Sequence, residues 1–152
     1  MPAGARLVAP LALALAFGVA ASAGAATADD YPRLKPGLWE VSSRTSLQAK
    51  DEPPVRTTMC LDDATAREMY RFSQGMMEGM CSKFDVRHVG DRYISEAICK
   101  LSESRMVARS TMTMSGDTSY TIEGSSSYDP PFMGIKDATT FVRARHAGPC
   151  KP

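Results

Sequence analysis

The chain has 152 residues, with 18 lysines and arginines against 17 aspartates and glutamates. A neutral chain of this length has room for one domain and one core. The charge balance excludes the basic footprint of a nucleic-acid binder, and the composition is not low-complexity.

Residues 1–28 read as a secretory signal. Arg6 and the amino terminus supply positive charge, and Leu7 to Ala21 is almost wholly apolar. That run of about 15 residues falls short of the roughly 20 needed to cross a bilayer. Small residues follow, with Ala23-Gly24-Ala25 and Ala26-Thr27-Ala28 as cleavage sites. Cleavage near residues 25–28 would leave residues 29–152 as a single periplasmic or secreted domain without a transmembrane segment.

Gly37 to Leu47 reads as a strand, with Trp39 and Val41 on one face at period two. A charged, proline-bearing turn over Lys50 to Pro54 leads to a second strand, Val55 to Cys60. Asp62 and Asp63 stand where a helix cap belongs. A helix follows, with Met69, Phe72 and Met76 at three- and four-residue spacing, and Gly75 or Gly79 is expected to end it. From Cys81 onward the period is mostly two. A hairpin over 81–99 turns at Gly90-Asp91, and strands follow at Arg105 to Met114, Thr118 to Gly124 and about Ala138 to His146. Ser125 to Gly134 is rich in serine and proline and reads as a loop. The fold expected is mainly β: an antiparallel meander curved into a partial barrel, about seven strands with one helix between strands two and three.

Cys60, Cys81, Cys99 and Cys150 are four in an exported chain, and no C-x-x-C spacing suggests zinc. Two disulfides have three possible connectivities. The hairpin favours Cys81 with Cys99 at its open end, which leaves Cys60 with Cys150. That pairing sets Val86 opposite Ile94 and needs a three-residue loop. A two-residue Gly90-Asp91 turn would shift the register by one and put the cysteines on opposite faces, unless a bulge reconciles the two.

His88 and His146 are the two histidines. The cysteine register puts His88, Ile94 and Glu96 on one face, where a histidine and a carboxylate could act as an acid–base pair. No G-x-S-x-G, H-E-x-x-H or phosphate-cradling glycine loop occurs, and the expectation is not an enzyme, with no cofactor. Methionine is unusually frequent, and Met76, Met77 and Met80 crowd the segment before Cys81. Thioethers suit Cu(I) and need no deprotonation; they also fill cores and line adaptable apolar grooves. The inward set Trp39, Phe84, Val86, Ile94, Met112, Met114 and Tyr120 would line a ligand pocket or fill it.

Leu34-Lys35-Pro36-Gly37-Leu38-Trp39-Glu40 resembles the L-K-P-G-L-W-E opening of an exported bacterial family, the domain-of-unknown-function family numbered 3617. Met59-Cys60-Leu61, the Cys81 to Cys99 hairpin, Met114-Ser115-Gly116-Asp117 and the closing Arg143 to Cys150, with its Gly-x-Cys end, agree with it. The resemblance implies a location in the bacterial envelope and carries no activity. The family's Met/Pro-rich insert after the first strand has no methionine here, since Leu47 to Pro54 holds none.

The functional expectation is a periplasmic binding module for an apolar or amphipathic ligand or an envelope component. The alternatives are Cu(I) binding at Met76, Met77 and Met80, and a protein-interaction module using strand edges or the Arg143/Arg145 strand.

Overall fold

A computed structural model describes residues 31–150; the signal sequence expected at residues 1–28 lies outside them. Seven strands form one antiparallel sheet: β1 (Gly37–Thr45), β2 (Val55–Leu61), β3 (Cys81–Val89), β4 (Arg92–Leu101), β5 (Ser104–Ser115), β6 (Ser119–Phe132) and β7 (Ile135–Gly148). Their order across the sheet is β2-β1-β7-β6-β5-β4-β3. Strands β3 to β7 are a meander of hairpins, while β1 pairs with β7 from the other end of the sequence. The sheet curves into a partial barrel and stays open.

One helix, α1 (Asp63–Met80), joins the two edge strands β2 and β3. Asp62 caps it, accepting from the Thr65 backbone N–H at 2.7 Å. That bond holds the Asp62 carboxyl below its ordinary range. Asp63 pairs with Arg67 one turn later and accepts from the hydroxyl of buried Tyr31 at 2.9 Å, which ties the N-terminal segment to the helix. The helix does not stop at Gly75 or Gly79 as the sequence suggested. It runs on to Cys81, whose extended backbone ends it and whose N–H bonds the Met77 carbonyl. The 18 residues of α1 extend about 27 Å. Neither Gly75 nor Gly79 takes the positive φ of a helix C-cap, and the helix ends where Cys81 opens β3.

The β3–β4 hairpin reconciles its turn with its disulfide by a bulge. Val89 pairs with Arg92 around a two-residue Gly90-Asp91 turn, and Gly90 has φ 64°. Phe84 then opposes Ala97, and Val86 opposes Ser95. The register shifts between Cys81 and Lys83, which returns Cys81 to a position opposite Cys99. Two bonds are present, Cys81–Cys99 and Cys60–Cys150. The second clasps both neighbours of β1, because Leu38 pairs with Cys60 on one side and Gly148 on the other.

Strand β6 is longer than expected and absorbs most of the Ser/Pro segment. Ser125 to Ser127 pair with Arg109 to Val107 of β5 and with Thr139 to Asp137 of β7. Strands on both sides hold this weakly strand-forming tract extended, so tertiary pairing overrides local composition.

The core gathers at one end of the sheet. Trp39 and Ala144 are fully buried beside Leu61, with Ala66 of α1, Leu34, Met59, Val41 and Tyr120 packed around them. The Trp39 indole N–H donates to the Lys35 carbonyl at 2.9 Å. The His146 ring stands edge-on to Trp39, with its Nε2 3.0 Å from the Pro36 carbonyl oxygen. Gly37 has φ 139°, and a Cβ there would lie 2.3 Å from the Gly148 carbonyl oxygen. The Lys35-Pro36-Gly37-Leu38-Trp39 run is thus a packing device that seats the indole and lets β1 meet β7.

Candidate functional site

Directly opposed residues of an antiparallel pair share a face, so the registers sort every strand residue onto one side of the sheet. On one side lie Trp39, Val41, Val86, Met112, Ile122 and Val142, among others. Glu40, Arg56, Lys83, Glu96, Arg109, Glu123 and Arg143 lie on the other. Within the paired ladder all charged side chains are on that second face; the first carries apolar and small neutral side chains, with His88 and His146 near its ends. Ala66 packs on the Trp39–Ala144 cluster, so α1 covers the apolar face.

The cover is partial. Met112, Met114, Ile122 and Val142 remain half-buried, as do Phe84 and Val86 of β3. Between larger side chains the middle of the face is built from Ser95, Ala97, Ala108, Ser110, Gly124 and Ser126, placed side by side by the registers. Met112, Ile122 and Val142 line one flank of this low strip, and Met106 and Tyr128 the other. The Ser95 and Ser110 hydroxyls bond one another at 2.7 Å, which satisfies two polar groups within an apolar surface.

Five of the expected pocket residues therefore share one accessible face: Phe84, Val86, Met112, Met114 and Tyr120. Tyr120 packs against Trp39 with tilted rings 5.7 Å apart, and its burial pushes the phenol pKa up. Trp39 is on the same face but sealed in the core, so its contribution is structural. Ile94 is not on this face. The bulge displaces the register by one, and Ile94 pairs with Arg87 and Thr111 on the charged side. The same displacement separates the expected acid–base pair. His88 stacks on Tyr93 at 4.1 Å on the apolar side. Glu96, on the charged side, meets Lys83, Arg87 and Arg109, and the Lys83 hydrogen bond is the main cause of its lowered pKa.

The methionines before Cys81 do not converge. Met76 and Met80 are exposed, one turn apart, on a stripe with Met69 and Phe72. By helical geometry this stripe is about 95° round from the side that packs inward through Ala66, Tyr70 and Met77. Met77 is half-buried, with its sulfur 3.8 Å from the Cys81 sulfur. Among the described residues no three His, Cys, Asp or Glu side chains could hold a metal ion together. No helix among them is long and apolar enough to cross a membrane.

Sequence reasoning missed a cleft on the charged face, with a volume of about 670 Å³, beside Ser42, Arg56, Thr58 and Arg143. The alternation of Arg143 and Arg145 was visible. The pairing of β1 with β7, which brings Arg143 beside Ser42, had no local signal.

A family model described as "Protein of unknown function (DUF3617)" matches residues 34–150. No curated protein and no solved structure is significantly similar to the chain.

Proposed function

The chain belongs to the DUF3617 family of proteins of unknown function, and we propose that it is a non-enzymatic binding module of the bacterial periplasm. Its ligand is apolar or amphipathic and lies on the apolar face between α1 and the sheet. One observation carries the reading: within its paired ladder the sheet presents a face without a charged side chain, and the helix covers it only in part. Monomeric soluble proteins rarely leave such continuous apolar surface half-open without a partner for it. The low strip between Met112 and Tyr128 gives an alkyl chain or a ring a place to lie, with methionines as adaptable walls. Two disulfides fit an oxidising compartment. The separation of His88 from Glu96 supports binding over acid–base catalysis.

The test is to fill the strip. Lauric acid should bind the wild type saturably by isothermal titration, and Ser110→Phe should abolish the signal without lowering the thermal midpoint. Ile94→Phe, on the opposite face, should bind as the wild type does. Equal binding by the Ser110→Phe protein would refute the site.

Copper binding at Met76, Met77 and Met80 has less support. Met77 is directed at the Cys81 sulfur, which leaves Met76 and Met80 as exposed thioethers one turn apart. The corresponding check is competition with a Cu(I) chelator, and substituting all three by leucine should not change the result.

A further inference from the structure

We propose that the cleft on the charged face binds a phosphate-bearing anion, held between Arg56 and Arg143 over the Ser42 hydroxyl. Ser42 of β1 pairs with Arg56 of β2 on one side and Arg143 of β7 on the other. The three side chains form one row on one face, so the arginine backbones stand about 10 Å apart. Two guanidinium groups can lean inward from that separation to bracket an anion above the serine. The cleft of about 670 Å³ is lined as well by Glu40, Thr58 and Arg145.

Charge and placement together mark this row out. Arg145 is matched by Glu40 at 2.5 Å. Lys83, Arg87 and Arg109 share Glu96, and the Arg44 guanidinium donates to the carbonyls of Ala49, Lys50 and Glu52. Among the described residues Arg56 and Arg143 have no carboxylate partner, as Arg92 and Arg105 on the same face also have none; Arg56 and Arg143 differ in flanking Ser42 from both sides. Arg143 is steadied instead against the Phe141 ring at 5.7 Å. Three arginines against one carboxylate leave a net charge of +2 at the cleft. Guanidinium forks bind phosphate oxygens bidentately. A phosphate has oxygens enough for both forks and a hydroxyl, whereas a carboxylate has only two. The cleft also has room for the alcohol that a phosphate esterifies. That ester is either a soluble phosphoester or a lipid headgroup.

Two probes separate these sources: glycerol 3-phosphate by titration, and phosphatidylcholine vesicles doped with phosphatidic acid by co-sedimentation. The double variant Arg56→Gln/Arg143→Gln should bind about tenfold or more weakly. Arg92→Gln/Arg105→Gln removes the same charge elsewhere on the face and should bind as the wild type does. Binding of both probes, or of glycerol 3-phosphate alone, supports a phosphate site open to soluble esters. Binding of vesicles alone, with the same variant pattern, supports a headgroup site. Equal losses in the two double variants, binding of acetate as tight as that of glycerol 3-phosphate, or no binding of either probe would overturn the proposal.

Discussion

A methyl group at Gly37 would lie 2.3 Å from the Gly148 carbonyl oxygen and 2.4 Å from His146 Nε2. The first contact is backbone and cannot give way. Gly37→Ala should therefore destabilise the fold by about 3 kcal/mol or more in urea denaturation, and adding His146→Ala should not rescue it. Trp39→Ala should cost about 3–5 kcal/mol, because among the described residues Trp39 is the largest side chain wholly withdrawn from solvent. Glu96 tests the electrostatics of the charged face. Its pKa is lowered first by the Lys83 hydrogen bond, then by the charges of Lys83 and Arg109. A carboxylate with a depressed folded-state pKa adds stability above its unfolded-state pKa and loses it as pH falls through the folded one. The stability gap between wild type and Glu96→Gln should thus be present at neutral pH and close in acid, measured by urea midpoints across pH. The Trp39 face was legible at this scale, since Trp39 and Val41 alternate with polar neighbours. The placement of Ile94 was not, because a single extra residue at Ser82 inverts which side of β4 faces the helix.

Helix α1 runs through Gly75 and Gly79, and a Cβ at either position meets nothing within 4 Å. Gly75→Ala and Gly79→Ala should each stabilise the protein by about 0.5–1 kcal/mol, read as a higher thermal midpoint. Two helix-weakening glycines made the helix end illegible locally: neither takes the positive φ of a C-cap, and the helix ends where Cys81 enters β3 opposite Cys99. The disulfides act on elements in a similar way. With sequence separations of 18 and 90, the loop-entropy estimate assigns about 3 kcal/mol to Cys81–Cys99 and about 4–5 kcal/mol to Cys60–Cys150. Paired serine substitutions should follow that order in denaturation midpoints. The Ser125 to Phe132 tract was misread for a related reason: serine and proline mark turns by composition, but here two neighbouring strands supply the partners that keep it extended.

Across the whole molecule, strand alternation separates a charged face from an uncharged one, and the long-range pairing of β1 with β7 extends both faces over seven strands. The alternation could be read strand by strand from the sequence. The juxtaposition could not, because nothing local links residues 38–45 to 140–148. Methionines report on both sides of the helix cover: Met106, Met112 and Met114 stand on the sheet's apolar face, while Met69, Met76 and Met80 stand on the outside of α1. The most direct measurement is a methyl NMR titration of the methionine-labelled protein with lauric acid. Saturable shifts at Met106, Met112 and Met114, with Met69 and Met133 unmoved, are the expected result. Shifts confined to Met69, Met76 and Met80, or none at all, would contradict binding on the apolar face.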